Sequence, residues 1–221
     1  MVKVKICGIT TIEDALAAAQ AGADMLGLNL YRNSPRFIEV ESAVAMAARL
    51  RVELGAARPL LVGLFVNEIV GRISITMEQV GLHVAQLSGD ESADLLREMH
   101  GVGYKAIRPR NLQEAVDDAA YFAPHSPSDV RFPSLLLDAY HPDLYGGTGQ
   151  QASIEVARAV MERTPRLMLA GGLTPENVGD RVAAIQPWAV DVASGVEADG
   201  QPGKKDLGKL RAFIQAAKGL S

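Results

Sequence analysis

The stretch that decides the fold reads Lys3-Val4-Lys5-Ile6-Cys7-Gly8-Ile9-Thr10. Apolar and polar side chains alternate over residues 2–6, which predicts a short strand with one apolar face. The strand stops at Cys7, and Thr10 or Thr11 can cap a helix over residues 12–20. Ligands of parallel α/β folds bind outside the carboxyl ends of the strands, so Cys7 is well placed for chemistry. The alternative is that Cys7 is a small buried hydrophobic residue, the usual state of a free cysteine.

The same strand-and-helix pattern continues along the rest of the chain. Apolar runs predict further strands at residues 25–30, 60–65, 83–87, 104–107, 134–138, 167–170 and 188–192. Helical spacing of apolar residues predicts helices at 39–54, 68–80, 91–100, 112–122, 175–185 and 205–218, and one that ends near 163. Eight such units predict a single-domain (β/α)8 barrel, of the TIM barrel type, over residues 1–221. An open doubly wound sheet stays possible, because alternation alone does not decide closure.

Composition excludes several classes of partner. The chain has 221 residues, 48% of them hydrophobic, which is enough for a substantial core. Its formal charge of −4 gives no reason to expect nucleic acid or an anionic membrane as partner. A single cysteine excludes an internal disulfide and fits a reducing compartment. With no signal segment or membrane-spanning run expected, we predict a cytoplasmic protein.

Two titratable residues are expected at the same end of the barrel. Asp138 follows three leucines, so its carboxylate should emerge where the sixth strand ends, because inside an apolar layer it would need a partner. Together with Cys7 it offers one group to take a proton and one to give a proton. The alternative is that Asp138 caps a helix or binds the glycine-rich loop beside it.

Loops after three other strands carry residues suited to anions. Gly171 and Gly172 follow the seventh strand, and Ser194 and Gly195 follow the eighth. Glycines allow close approach of the backbone, and these two loops are the usual phosphate site of barrels. Arg36, in the loop after the second strand, can bind a carboxylate in bidentate fashion, although a solvated surface arginine is the ordinary alternative.

Seven segments, in order along the chain, carry a resemblance. They are KICGIT (5–10), SPRFI (34–38), GLFVN (63–67), Asp138 with YGGTG (145–149), AGGLTPENV (170–178), DVASGVE (191–197) and PGKKD (202–206). They extend in order from the first strand to the last helix, so essentially the whole chain resembles the phosphoribosylanthranilate isomerase family of tryptophan biosynthesis. The opening KICG is the most specific of them.

The resemblance implies an Amadori rearrangement on a (β/α)8 barrel without metal or organic cofactor. It implies that Cys7 is the general base, that Asp138 is the general acid and that Arg36 holds the anthranilate carboxylate of the substrate. It also implies that the glycine loops hold the phosphate of this small-molecule substrate. We expect a monomer or a homodimer. A free thiol is mostly protonated at neutral pH, so Lys5, on the same strand face, is a candidate for lowering the pKa of Cys7.

Two departures from the family pattern border the expected substrate mouth. Ser88 stands where the family usually has histidine, and Gln150-Gln151 stand where the family tends to have lysine followed by a Phe-Asp-Trp run. These departures leave two alternatives open: an isomerase of a related aminoaldose phosphate, and a non-catalytic barrel that binds a sugar phosphate. Retention of both Cys7 and Asp138 argues against the second, since a binding protein has no need of the pair.

Overall fold

Eight parallel strands form the centre of the molecule, in a computed structural model that describes residues 1–138, 153–164 and 166–219. The strands hydrogen-bond in chain order, and β8 pairs with β1, with Lys3 opposite Ala189 and Lys5 opposite Asp191. They are β1 (Lys3–Cys7), β2 (Met25–Asn29), β3 (Leu60–Phe65), β4 (Val84–Leu87), β5 (Gly103–Ile107), β6 (Leu135–Leu137), β7 (Leu167–Leu169) and β8 (Ala189–Val192). The sheet is therefore a closed barrel, and the alternative of an open doubly wound sheet is wrong.

A helix follows each strand. The helices are α1 (Ile12–Gln20), α2 (Val40–Leu54), α3 (Val70–Val80), α4 (Ala93–Glu98), α5 (Leu112–Phe122), α6 (Ile154–Met161), α7 (Val178–Ile185) and α8 (Leu207–Lys218). The predicted (β/α)8 class is confirmed. Among the described residues, no helix is long and apolar enough to cross a membrane.

Side-chain hydrogen bonds accompany the later starts of α4 and α7. Elements α1, β3 and α5 occupy the predicted residues, whereas α3, α4 and α7 begin later than predicted. Before α4, the side chain of Ser92 accepts a hydrogen bond from the Leu95 amide and caps the helix. The helix therefore begins at Ala93, two residues after its predicted start. Before α7, Asn177 Oδ1 accepts from the Thr174 amide at 2.9 Å and keeps residues 174–177 in a turn.

Two apolar cores lie on the two faces of the barrel wall. Side chains that point outward pack between strands and helices. Those that point inward fill the amino-terminal half of the barrel and include Met25, Val62, Val84, Tyr104, Leu136, Met168 and Ala189. One layer further toward the carboxyl ends of the strands, buried polar residues replace them: Lys5, Gln86 and Asp191. The interior thus changes from apolar to polar toward the end where ligands of barrels bind.

Candidate active site

A cavity of about 430 Å³ opens at the carboxyl ends of the strands. Its walls come from the ends of strands and the loops after them, and polar residues on them include Cys7, Asn29, Tyr31, Arg36, Gln86, Ser88, Arg108, Asp138 and Asp191. This volume is in the usual range for a small-molecule site. Cys7, at the end of β1, and Asp138, directly after β6, share this cavity as predicted.

Cys7 is both buried and part of the cavity wall. Only 5% of the residue is exposed. Gly27 lies opposite Cys7 in the pairing of β1 with β2, and a Cβ atom at Gly27 would lie 2.8 Å from the Cys7 sulfur. The absence of a side chain at residue 27 therefore leaves the space that the thiol occupies. Cys7 is thus buried, as the alternative of an inert cysteine required, but it also lines the cavity.

A buried polar network lies beneath the thiol. Lys5 Nζ donates hydrogen bonds of 2.9 Å to Asp191 Oδ1 and to Gln86 Oε1. The Tyr104 hydroxyl donates to the same Gln86 oxygen at 2.8 Å. Burial alone would lower the pKa of Lys5, but the charges of Asp191 and Cys7 and the Tyr104 hydroxyl outweigh it and raise that pKa. Lys5 is therefore held in its charged form by buried partners, two of which, Gln86 and Asp191, also line the cavity.

The pKa of Cys7 is set by competing influences. Burial raises the pKa of the thiol, and the negative charge of Asp191 adds to this, whereas Lys5 and Lys205 lower it. The net pKa lies above the ordinary value for cysteine. Lys5 thus acts in the predicted direction, but burial has the larger effect.

Asp138 lies between the main cavity and the glycine loops. Its backbone N–H donates to the Ile107 carbonyl at 3.0 Å, which continues the pairing of β6 with β5 by one residue. The side chain is half-buried and lines both the main cavity and a smaller pocket beside it. Its carboxylate therefore emerges at the end of the strand, as the run of leucines predicted.

The smaller pocket brings together the four residues predicted for phosphate binding: Gly171, Gly172, Ser194 and Gly195. Gly171 and Gly172 adopt φ angles of 86° and 59°, which favour glycine. Asn177 holds this loop, because its Nδ2 donates to the Gly172 carbonyl at 2.8 Å. A Cβ atom at Gly195 would lie only 2.0 Å from the Leu173 carbonyl oxygen, so the two loops meet only because residue 195 is glycine.

Arg36 enters the cavity wall as half of a bidentate ion pair. Its Nε donates to Glu197 Oε1 at 2.7 Å and its Nη2 donates to Glu197 Oε2 at 2.8 Å. The Ser34 hydroxyl accepts from the Arg36 backbone N–H at 3.1 Å and from Asn29 Nδ2 at 2.9 Å, which fixes the loop that carries Arg36. Hydrogen bonds and the charge of Glu197 raise the pKa of Arg36. Arg36 is therefore a fixed cation rather than a solvated surface arginine.

Comparison with known proteins decides the family. The model of the N-(5′-phosphoribosyl)anthranilate (PRA) isomerase family matches residues 4–216. The chain belongs to this family. An N-(5′-phosphoribosyl)anthranilate isomerase from Trichlorobacter lovleyi is 45% identical over 218 residues, which are 99% of this chain and 98% of the relative. The chain is thus an isomerase of tryptophan biosynthesis.

Solved phosphoribosylanthranilate isomerases share the whole fold. One from Thermotoga maritima is 36% identical, with a TM-score of 0.85 and complete coverage of both chains. Another structure of the family, 36% identical with a TM-score of 0.82 and complete coverage of both chains, holds reduced 1-(o-carboxyphenylamino)-1-deoxyribulose 5-phosphate. Monomers generated from the dimeric Thermotoga maritima enzyme have also been solved, at 35% identity, a TM-score of 0.82 and complete coverage of both chains.

Sequence reasoning missed several residues of this isomerase site. Gln86 and Asp191 were assigned no role, and neither was Glu197. A signal for the first two was present, because each is a polar residue at an inward position of an otherwise apolar strand. Nothing in the sequence pairs Glu197 with Arg36, which is 161 residues away.

The two departures from the family pattern differ in what the structure describes. Ser88 lines the cavity; its hydroxyl accepts from Gln86 Nε2 at 3.1 Å, and its carbonyl accepts from Arg108 Nη2 at 2.8 Å. The YGGTG loop (145–149) and Gln150-Gln151 lie outside the described residues. Over the described part of the chain, no cluster of His, Cys, Asp or Glu has the arrangement of a metal site.

Proposed function

We propose that Cys7 is the general base and Asp138 the general acid in converting N-(5′-phosphoribosyl)anthranilate to 1-(2-carboxyphenylamino)-1-deoxyribulose 5-phosphate. The observation that carries the proposal is that both side chains, from β1 and from the residue after β6, line one cavity of about 430 Å³. Proton-transfer catalysis needs one group to give and one to take a proton within reach of the same small substrate.

The reaction uses the two groups in turn. Asp138 donates its proton to the ribose ring oxygen while the nitrogen lone pair forms a C1′–N double bond, and the C1′–O bond breaks. Cys7, as thiolate, then removes the proton from C2′, and the electrons of that bond form a C1′–C2′ double bond as the imine nitrogen regains its lone pair. The resulting enolamine tautomerises to the ketone at C2′. All atoms are retained, as an isomerisation requires.

Arg36 and the glycine loops are the proposed contacts for the two anionic ends of the substrate. Arg36 has five N–H groups, of which the Glu197 pair uses one on Nε and one on Nη2. Its guanidinium can therefore bind the anthranilate carboxylate without leaving Glu197. The loops of Gly171, Gly172, Ser194 and Gly195 form the phosphate site in this proposal, supported by their shared pocket beside Asp138.

The cellular setting and assembly belong to the same proposal. A small phosphorylated substrate is the expected partner, and neither nucleic acid nor a membrane surface is expected from a net charge of −4. Work in the cytoplasm fits a biosynthetic enzyme with one cysteine. We expect the barrel to act as a monomer or a homodimer.

A fluorescence assay with purified protein and phosphoribosylanthranilate tests the proposal. We expect the anthranilate fluorescence to fall faster than it does spontaneously. Cys7→Ala and Asp138→Asn should each reduce kcat by about 100- to 10,000-fold, since each removes a general acid–base group. KM should change little, because neither group needs to bind the ground state. Asp94→Asn, at an exposed carboxylate on α4, is the control and should keep the wild-type rate.

Two results would contradict the proposal. Wild-type fluorescence decay no faster than the spontaneous rate would favour an isomerase of a related aminoaldose phosphate. A near-normal kcat for Cys7→Ala would require another base and would return Cys7 to the role of a buried apolar residue.

A further inference from the structure

The PGKKD segment (202–206) and Glu197 have no role in the proposed chemistry, yet they surround Arg36. The Glu197 carboxylate is almost fully buried and accepts four hydrogen bonds. Besides the two from Arg36, the Gly203 backbone N–H donates at 3.0 Å and Lys205 Nζ donates at 3.2 Å. A carboxylate buried at this density of donors is a fixed anion, because each oxygen has its partners.

The aliphatic part of Arg36 is held as firmly as its guanidinium. Gly8 has a φ angle of 70°, and a Cβ atom there would lie 2.6 Å from Arg36 Cδ. The side chain of Arg36 therefore lies directly on the backbone next to Cys7. With its stem on Gly8 and its head on Glu197, Arg36 has little rotamer freedom left to lose when a ligand binds.

Glu197 is also joined to the predicted phosphate loop. Its backbone N–H donates to the Ser194 carbonyl at 3.0 Å and closes a short 3-10 turn that contains Gly195. Lys205 Nζ donates both to Glu197 Oε1 and to the Ala193 carbonyl, the latter at 3.0 Å. The carboxylate that holds Arg36 is thus within one turn of the residues predicted to hold the phosphate.

The PGKKD segment is itself hydrogen-bonded to the loop after β1 and to the start of α1. The Thr10 hydroxyl donates to the Gly203 carbonyl at 2.6 Å, and Asp14 Oδ2 accepts from the Lys205 backbone N–H at 3.0 Å. Both Thr10 and Asp14 lie just beyond Cys7 in the chain. One network of hydrogen bonds therefore links the loop after Cys7, Arg36 and the predicted phosphate loop.

We propose that Glu197 is a positioning residue that sets the distance between Arg36 and the phosphate loop. Arg36 can then bind the carboxylate at one end of the substrate while the phosphate loop binds the phosphate at the other end, and the protein does not need to reorganise. The role needs a carboxylate, because an amide in its place would set an NH2 group against an arginine donor. This inference rests on the proposed contact of Arg36 with the substrate carboxylate.

Steady-state kinetics of single and double variants test the proposal. We expect Glu197→Gln to raise KM about tenfold or more, in the range for loss of a hydrogen bond to a charged group, while kcat falls less than KM rises. Arg36→Met should raise KM to a similar extent. Because Glu197 acts through Arg36, adding Glu197→Gln to Arg36→Met should change KM by less than about twofold. The matched control is Glu114→Gln, at the pair of half-buried Glu114 in α5 with exposed Arg110 just before the helix, which should leave both constants unchanged.

Folding is monitored separately, because loss of a buried charge can destabilise the barrel. Circular dichroism and a urea titration accompany each variant, and Glu197→Asp provides a second one. Aspartate keeps the charge facing Lys205 but is one methylene shorter, so it cannot reach both arginine nitrogens; we expect a folded protein with a raised KM.

The outcomes separate this inference from the proposed function. An unchanged KM in Arg36→Met would overturn the carboxylate contact. A raised KM in Arg36→Met with an unchanged KM in folded Glu197→Gln and Glu197→Asp would overturn the positioning role alone. Multiplicative effects of the two substitutions on KM would likewise overturn it.

Discussion

The thiol of Cys7 lies close enough to Lys5, Lys205 and Asp191 for all three charges to act on its pKa. Burial has the largest effect and raises this pKa above its ordinary value. A base must be deprotonated before it can act. We therefore expect kcat/KM to rise with pH over a range above the ordinary pKa of cysteine, because this profile reports the free enzyme.

Cys7→Asp provides the test of this pH dependence. The ordinary pKa of aspartate is about 3.9, several units below that of a thiol. If the acid limb of the wild-type profile is ionisation of Cys7, the limb in Cys7→Asp should move to lower pH, whatever the loss in rate. Profiles of kcat/KM from mildly acidic to strongly alkaline pH measure this shift. An acid limb at the same pH in both proteins would assign the limb to another group.

Single residues differ in how far their roles could be read from the sequence. The positions of Cys7 and Asp138 at one cavity were predictable, because each stands where a strand ends, and strand ends lie on one side of a barrel. Their catalytic roles stay a prediction. The pairing of Arg36 with Glu197 was not, since it joins residues 161 positions apart. The pKa of Cys7 was predicted only in part: the sequence places Lys5 nearby, but burial is a property of the assembled barrel.

At the scale of elements, the contact between the loops after β7 and β8 depends on a missing side chain. Gly195→Ala would place a Cβ atom 2.0 Å from the Leu173 carbonyl oxygen, so the loops must separate. We expect a cost of about 1–3 kcal/mol in the free energy of unfolding, typical of overpacking. KM should rise, and inorganic phosphate should inhibit less strongly, because the predicted phosphate site is displaced.

A matched alanine substitution controls for the loss of glycine itself. Gly71, in α3, has open space where the methyl group of an alanine would lie, so Gly71→Ala should stabilise the helix slightly and leave KM unchanged. Urea denaturation and inhibition by phosphate provide both readouts. Unaltered phosphate inhibition in Gly195→Ala would remove the main support for a phosphate site at these loops.

The helices and strands themselves were largely predictable, since apolar periodicity set their type and order. Their ends were less so, because side chains decide them. Ser92 begins α4 later than the apolar pattern indicates. Glu91, just before Ser92, forms a buried ion pair with Lys105 at 2.9 Å and is not part of the helix. Only the folded barrel creates this contact.

At the scale of the whole molecule, His83 makes stability depend on pH. It precedes β4, and its Nδ1 accepts a hydrogen bond from the Leu61 backbone N–H at 2.9 Å. Burial and the nearby Arg58, Arg131 and Arg51 lower its pKa below the ordinary 6.5. The unfolded chain therefore binds a proton at His83 more readily than the folded chain does. The contribution of His83 to the free energy of unfolding is fully present above pH 6.5 and is lost as the pH falls below it.

His83→Asn tests this contribution to stability. The asparagine side-chain oxygen can accept the Leu61 N–H but does not titrate. The urea midpoint is measured at two pH values, about one unit above and about one unit below the ordinary histidine pKa. We expect the midpoint to fall between the two by more in the wild type than in His83→Asn. The difference isolates His83 from the carboxylates. Equal changes in the two proteins would show that His83 does not contribute.

Closure of the barrel between β8 and β1 has a consequence for protein synthesis. Asp14, in α1, and Lys205, in the PGKKD segment, are hydrogen-bonded to each other and are 191 residues apart in sequence. At about 5–20 residues per second, about 10–40 s separate their synthesis. Until β8 has been synthesised, one edge of the nascent β1 lacks its final partner. Unpaired strand edges of this kind can pair with other chains. A growing polypeptide therefore gains isomerase activity only when nearly the whole barrel has left the ribosome.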